Sequence, residues 1–446
     1  MNAQDVRWTA EQVLALAPDD TSRKAGAKLG GAGPWSATGG SASGAVWGMC
    51  KGSGSTPYRT VVDLSGPAYT CSCPSRKFPC KHALGLLLLW SAEGFGDPAE
   101  APDWAGGWLA ARAAKAAART APAKPVDAEA ARKRAERRAA RIDAGVTELE
   151  QRLADLLRGG LAGQEQAGYG AWEETAARMV DAQAPGLAAR ARELGTIPSS
   201  GAGWPGRMLE ECGLLHLLDR AWLGVSGLPE PLAATVRARV GLTAAAEGAA
   251  AVRDHWLVLG QYDTVSADGR LITRRIWLRG RDSGRTALVL DFGPPGRPPQ
   301  LALPVGLVLE AEARFRAGSA GLRADLGERY AAPAPHHGPP PGVRPGAALD
   351  AYGTALLEDP WLESWPVVLE GVVPVPGELG WRLADPEAGE ALPVRTAGGR
   401  PAPAGLWQLA ALSGGGPVTV FGECGHRGFT PLTAWQPGSA EPVALG

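Results

Sequence analysis

Three cysteines and one histidine lie close together near the start of the sequence. Cys71, Cys73, Cys80 and His82 follow the pattern Cys-x-Cys, six residues, Cys-x-His. A structural zinc ion takes four nitrogen or sulfur ligands in a tetrahedron and leaves no position open. Three thiolates and one imidazole meet that requirement, whereas the spacing differs from the Cys-x-x-Cys arrangement of redox pairs. The sequence therefore predicts one structural Zn²⁺ bound by these four side chains.

Basic side chains lie in and beside this segment. A zinc site with three thiolates and one imidazole carries a formal charge of −1, which Arg76, Lys77 and Lys81 can compensate. The same cations, with Lys51 and Arg59 on the preceding strands, are also suited to contact phosphates. Charge compensation and nucleic-acid contact therefore both stay open. No helix that would read bases can be assigned, so nothing supports sequence-specific recognition.

The elements that must position these ligands form an N-terminal unit over residues 1–98. Predicted helices span 9–16 and 22–29, a Gly- and Ser-rich loop spans 30–44, and strands span 45–51, 58–64 and 68–73. The first ligand pair leaves the last strand, and the second pair opens a helix that runs from Cys80 to Trp90. The free N–H groups at a helix N-terminus favour thiolate over thiol. Leu84, Leu87 and Leu88 give that helix an apolar face to pack on the strands.

Residues 45–92 resemble a SWIM-type zinc finger, whose pattern is Cys-x-Cys, a variable gap and then Cys-x-His. The resemblance rests on Cys71-Ser72-Cys73-Pro74-Ser75 and Pro79-Cys80-Lys81-His82-Ala83-Leu84. More broadly, the chain resembles bacterial SWIM zinc finger family proteins. That resemblance implies a zinc cofactor and binding to DNA or to protein. It also implies a genomic neighbourhood with MoxR-like AAA ATPases and von Willebrand A-domain proteins, which are therefore the expected partners.

The rest of the chain divides by composition into four further regions. They are an Ala/Pro-rich and basic linker/helix at 99–141, a helical region at 142–245, a β-rich region at 246–330 and a second β-rich region at 346–446. Residues 95–125 show no core pattern and are predicted to be a linker. The basic run from Arg112 to Arg141 is a solvated helix face or, alternatively, a contact for phosphates or an acidic partner.

Hydrophobic periodicity supports this division. A helix that ends at Gly159-Gly160 carries one apolar stripe, formed by Ile142, Val146, Leu149, Leu153 and Leu156. Further helices are predicted at 172–183, 185–194, 207–223 and 232–240. Strands are predicted at 255–262, 271–279, 285–292, 307–315, 365–375, 381–383 and 417–423, with a Pro-rich break at 336–345. The expected fold class is therefore α+β, with a small zinc unit, a helical middle and a β-rich C-terminal half.

Other cysteines and histidines give weaker signals. Cys424 and His426 form a second Cys-x-His pair, but no nearby pair completes a set of four ligands. Cys50 lies on a strand and is predicted to be a core residue. His216 and His255 have no partner that the sequence reveals.

Several function classes are disfavoured. The net charge of −1 argues against a whole-molecule attraction to nucleic acid or acidic lipid. P-loop, Gly-x-Ser-x-Gly and His-Glu-x-x-His patterns are absent, so no enzyme is expected. The polar N-terminus and the short apolar run at 83–90 predict a cytoplasmic protein. The expected function is a zinc-binding protein-interaction adaptor, and the alternative is a nucleic-acid-binding protein that uses the basic zinc finger.

Overall fold

The computed structural model confirms an α+β chain with three separate sheets and a helical middle. It describes residues 7–42, 44–52, 54–64, 68–75, 77–96, 98–120, 128–167, 170–242, 250–266, 269–295, 299, 301–331, 333–378, 380–395, 403–439 and 441–445. No helix in these ranges is long and apolar enough to cross a membrane.

The N-terminal unit places three helices against a four-stranded antiparallel sheet. Its elements are α1 (Ala10–Leu14), α2 (Asp20–Ala27), β1 (Trp35–Gly40), β2 (Ala45–Cys50), β3 (Tyr58–Asp63), β4 (Ala68–Cys71) and α3 (Lys81–Glu93), and the strand order is β1-β2-β3-β4. The three predicted strands and the ligand-bearing helix are confirmed. Strand β1 corrects the predicted loop at 30–44. Gly39 on β1 allows close packing against Trp47, because a Cβ at this position would lie 2.9 Å from the Trp47 ring.

Helix α3 is buried along most of its length. Every residue from His82 to Leu89 is buried, and the helix contacts α1, α2 and strands β2 to β4. Two glycines allow the close crossing of α2 and α3. A Cβ on Gly85 would lie 2.5 Å from Cβ of Leu29, and one on Gly26 would lie 2.7 Å from Cβ of Leu84.

Helix α4 (Asp103–Thr120) occupies most of the stretch that was predicted to be a linker. Ala105 is buried with Trp47 and Val61 of the sheet, and Trp108 packs against this cluster. The Nε atom of Arg112 also lies 2.8 Å from Asp63. The linker prediction was therefore wrong here, because the Ala-rich composition concealed side chains that recur at three- and four-residue spacing along one helix face.

The helical middle consists of α5 (Ala128–Gly159), α6 (Gln164–Ala167), α7 (Gly170–Asp181), α8 (Pro185–Thr196), α9 (Trp204–Leu223) and α10 (Glu230–Val240). All five residues of the predicted apolar stripe on α5 are buried in one core with α7, α8, α9 and α10. Helix α5 ends at Gly159, as the Gly-Gly pair predicted. The predicted helices at 172–183, 185–194, 207–223 and 232–240 correspond to α7 to α10.

The second sheet follows the helices. It contains β5 (Ala251–Val265), β6 (Ile272–Gly280), β7 (Thr286–Gly293), β8 (Leu307–Phe315), β9 (Ala324–Arg329) and β10 (Ala334–Pro335). The order is β10-β8-β5-β6-β7, and β9 pairs with β8. The four strands predicted here are confirmed. The sequence also predicts a hairpin turn at Asp268-Gly269 between β5 and β6, and Asp268 lies outside the described residues.

The C-terminal sheet carries two helices. Its elements are α11 (Pro345–Leu356), β11 (Trp365–Val375), β12 (Arg382–Asp385), β13 (Glu390–Pro393), α12 (Pro403–Ser413), β14 (Val418–Gly425), β15 (Gly428–Trp435) and β16 (Pro442–Ala444). The strand order is β13-β12-β11-β14-β15-β16. The three strands predicted in this region are present. Helices α11 and α12 and strands β13, β15 and β16 were not predicted.

Spatial neighbours differ from neighbours along the chain. The N-terminal unit shares one core with the second sheet, in which Trp8 and Leu84 lie with Trp256. The second and third sheets meet around Phe421 and Trp435. The helical middle contacts both the C-terminal unit, through Trp361, and the segment between β8 and β9, where Gly318 lies against Ala234 of α10.

Candidate metal centre

The four predicted ligands converge at the junction of β4 and α3. Cys71 ends β4, Cys73 lies in the turn that follows, Cys80 is the N-cap of α3, and His82 lies in the first turn of that helix. Their ligand atoms all lie within 4.8 Å of one another. The Nδ1 atom of His82 is 3.7 Å from Sγ of Cys71. Cys80 and His82 are buried, whereas Cys71 and Cys73 are partly exposed.

The sulfur atoms perturb one another strongly. Hydrogen bonds from Cys80 lower the pKa of Cys71 to about 4 and the pKa of Cys73 to about 6. The same contacts, first with Cys71 and then with Cys73, raise the pKa of Cys80. Burial alone would lower the pKa of His82, but its contacts with Cys71 and Cys73 raise it. The cluster therefore accommodates negative charge on two sulfurs, and a cation is needed before all three are thiolates.

Backbone amides stabilise each sulfur further. The amides of Cys73, Ser75 and Ala83 donate hydrogen bonds to the sulfurs of Cys71, Cys73 and Cys80, respectively, and each bond lowers the pKa of the sulfur that accepts it. The Ala83 amide is one of the free N–H groups of the first turn of α3. Four nitrogen and sulfur donors thus face one point, which fits Zn²⁺ in a closed structural site.

Two residues that the sequence did not single out complete the surroundings. The Oγ1 atom of Thr60 lies 3.2 Å from Sγ of Cys71, because Thr60 and Cys71 are directly paired across β3 and β4. The ring of Tyr58 lies 4.8 Å from the ring of His82, between centroids. Tyr58 and Thr60 are two residues apart on β3 and therefore lie on the same face of the strand. This two-residue period, combined with the register of the β3–β4 hairpin, could have predicted that both lie beside the metal ligands.

The basic residues around the site have different environments. The Nζ atom of Lys77 lies 2.8 Å from the carboxylate of Asp19, and both side chains are substantially exposed. Asp19 also caps α2, and the hydrogen bond from Lys77 is the main cause that lowers its pKa to about 2. Lys81 is exposed. Arg76 lies outside the described residues.

The weaker cysteine and histidine signals are resolved as follows. Cys50 is fully buried, and burial raises its pKa, as suits a core residue. Cys424 is also buried in a core. His426 bonds to other elements instead of completing a metal site: its Nδ1 lies 3.2 Å from the Tyr352 hydroxyl and its Nε2 lies 3.1 Å from Glu210.

The two histidines that lacked a visible partner both have one. The Nδ1 atom of His216 lies 2.8 Å from Glu150, and that of His255 lies 2.9 Å from Asp282. Across the described part of the chain, Asp254, His255 and Asp282 form the second group with metal-ligand spacing. The Asp254 oxygens already accept three backbone hydrogen bonds, from His255, Asp282 and Ser283. These bonds occupy the oxygens of the Asp254 carboxylate. We therefore interpret the three residues as a turn that Asp254 caps, and not as a metal site.

Two family models match the sequence. Residues 58–90 match the SWIM zinc finger, and residues 137–240 match the SWIM-associated four-helix bundle domain. The first match contains all four converging ligands, and the second spans most of α5 and all of α6 to α10. No curated protein and no solved structure matches the chain.

Proposed function

We propose that this chain, which carries a zinc-binding SWIM finger and a SWIM-associated four-helix bundle domain, is a non-catalytic adaptor that joins protein partners. The zinc ion has a structural part in this role. Its four protein ligands leave no coordination position for an activated water or a substrate. The metal instead fixes the turn between β4 and α3, the helix that packs in the core shared with the second sheet.

The observation that carries the proposal is an exposed apolar strip on α9. Leu209 and Leu217 are 55% and 45% exposed, and Gly213 lies exposed between them on the same helix face. The opposite face of α9 is occupied by its buried core residues. Isolated exposed leucines are common on protein surfaces, but a strip along one helix is typical of a contact surface.

The partners that we propose follow from the resemblance to bacterial SWIM proteins. They are a MoxR-like AAA ATPase and a von Willebrand A-domain protein. An adaptor of this kind would present the α9 strip to one partner while the zinc finger unit stays available to another.

The test is affinity capture of the whole chain from native lysate, with and without nuclease, followed by mass spectrometry. A specific partner retained after nuclease, and lost from the Leu209→Glu/Leu217→Glu double variant, would support the proposal. Val265→Glu is the matched control, since Val265 is 64% exposed at the end of β5, away from α9. Retention of the same partner by the double variant would contradict a role for α9.

A second candidate, nucleic-acid binding, is favoured by one specific observation. Lys51, Arg59 and Lys81 are exposed around the metal centre, and none of them forms an ion pair with another described residue. Phosphate contacts release counterions, so such binding would weaken steeply with salt. A Lys51→Glu/Arg59→Glu variant with unchanged affinity for DNA, or a flat salt dependence, would exclude this candidate.

A further inference from the structure

A cleft separates the four-helix bundle from the C-terminal unit. Its volume is about 370 Å³, within the range of roughly 300–1,000 Å³ that is usual for small-molecule sites. Helices α8 and α9 form one side of the cleft. The other side comprises α11, the segment 360–363 and the turn between β14 and β15.

The walls of this cleft are held in place by contacts that cross it. The Nε1 atom of Trp361 donates to the backbone oxygen of Leu214 at 2.8 Å. Within the C-terminal wall, the Tyr352 hydroxyl donates to the backbone oxygen of Leu362 at 2.8 Å. Close by, the fully buried carboxylate of Asp359 is bonded by Nη2 of Arg239 at 2.5 Å. The cleft is therefore preformed, so a ligand can bind with little loss of conformational entropy in the walls.

Two guanidinium groups in the lining have no hydrogen-bonded anion among the described residues. Arg190 has a side chain only 15% exposed, and the carboxylate nearest to it, on Glu211, is 3.9 Å away. Burial, followed by the charge of Arg239, lowers the pKa of Arg190, and the charges of Glu193, Glu211 and Glu363 raise it without reversing that shift. Arg395 is partly buried, and its side chain makes no hydrogen bond or ion pair with any described residue. A desolvated cation in this state gains from an incoming anion.

The carboxylates that line the cleft make no hydrogen bond to Arg190 or to Arg395. Arg427 and His426 are bonded to Glu210, and Arg427 also lies 3.3 Å from Glu211. Glu363 is exposed, so water solvates its carboxylate. The rest of the lining is mainly apolar and comprises Leu214, Leu356, Pro360, Trp361 and Leu362.

We propose that this cleft binds a small carboxylic acid with an apolar body, whose carboxylate is held by Arg190 and Arg395. The planar guanidinium of Arg190 suits a bidentate contact to a carboxylate. The apolar body would pack on Trp361 and the neighbouring leucines. This binding site is separate from the zinc centre and borders the exposed face of α9 at Gly213, but the proposal does not depend on the adaptor role.

The test is saturation-transfer NMR on the full chain with a panel of monocarboxylates, from butyrate to 3-phenylpropionate. Each acid is paired with its neutral amide, which has nearly the same shape and no charge. We expect the best acid to bind more tightly than its amide by about tenfold or more, the usual effect of a hydrogen bond to a charged group. Arg190→Gln should remove that preference, and Arg190→Lys should retain part of it.

Arg192→Gln is the matched control, because Arg192 lies on the same helix but bonds to Glu173. Arg395→Gln provides a second test that leaves α8 untouched, and the melting temperature of each variant shows whether it is folded. Equal binding of acid and amide would overturn the proposal. So would unchanged acid binding by folded Arg190→Gln and Arg395→Gln, or the absence of any saturation transfer from the whole panel at millimolar concentration.

Discussion

The zinc finger and the four-helix bundle reach a stable arrangement by different means. In the bundle, helix α5 buries a continuous stripe, and one residue from each helical turn enters one core. In the finger, the turn from β4 to α3 has mostly exposed side chains at residues 72–75 and at Lys77. Little apolar surface holds that turn, so the metal ligands must fix it. A segment too short to bury a core can thus be fixed by a metal at its ends.

Removing zinc is expected to have the largest effect and to separate the two regions. Zinc binding in small structural sites contributes about 10 kcal/mol or more to folding. A strong chelator, or Cys73→Ser, should therefore release the turn and the first part of α3. Hydrogen exchange measured by mass spectrometry should show lost protection over residues 77–84, with protection over 142–156 unchanged. Equal loss in both segments would show that the finger and the bundle form one cooperative unit.

The reverse experiment weakens the bundle alone. Leu149 is fully buried on α5, so Leu149→Ala should destabilise the chain by about 2–5 kcal/mol through lost burial and a cavity. Zinc content should stay the same. Denaturant unfolding followed by circular dichroism gives the first quantity and elemental analysis gives the second. Leu157→Ala is the control, since Leu157 lies on the same helix and is 48% exposed.

Two helical glycines sharpen the comparison, because the same substitution should act with opposite sign. Gly85→Ala places a Cβ 2.5 Å from Cβ of Leu29, so it should destabilise the finger by about 1–3 kcal/mol. Gly353 on α11 has open space around it, so Gly353→Ala should stabilise its helix by up to about 1 kcal/mol. Melting temperatures of the two variants measure both effects. A stabilised Gly85→Ala chain would mean that α2 and α3 do not cross closely.

The bundle also contains a buried ionisable group. Asp219 is fully buried, and burial, followed by the charge of Glu150, raises its pKa to about 9. The folded state therefore keeps a proton that the unfolded state releases near 3.8, so stability should fall as pH rises between these values and level off above about 9.

Asp219→Asn removes this dependence. At pH 8 the variant should be more stable than the wild type by at least about 1.4 kcal/mol, the equivalent of one pKa unit. The difference should vanish near pH 4. Unfolding curves across this range provide the measurement, with exposed Asp155→Asn as the control. A difference that does not change with pH would mean that Asp219 stays ionised in the fold.

The sequence predicted the metal centre better than the elements around it. The four ligands occur within one short segment and their chemistry needs no long-range information. Thr60 and Tyr58 required the register of β3 against β4, which depends on the turn between them. The role of Lys77 likewise depended on the position of Asp19, at the start of a helix far along the chain.

The missed elements share a physical reason, which is that local composition conflicts with the final structure. Strand β15 contains Pro431, which has no N–H for the ladder and is tolerated because it pairs with Gly422 beside a register shift. Strand β1 contains two glycines. Helix α12 is almost uniformly apolar and so has no periodic face. In each case tertiary packing decided the outcome.

The most direct test of the account is native mass spectrometry of the purified, reduced chain and five single variants. The variants are Cys71→Ala, Cys73→Ala, Cys80→Ala, His82→Ala and the control Cys50→Ala, whose cysteine is buried nearby but outside the ligand set. The account predicts one zinc ion per chain in the parent and in Cys50→Ala, and loss or marked weakening of zinc binding in the other four. A parent without stoichiometric zinc, or ligand variants that retain zinc fully, would contradict it.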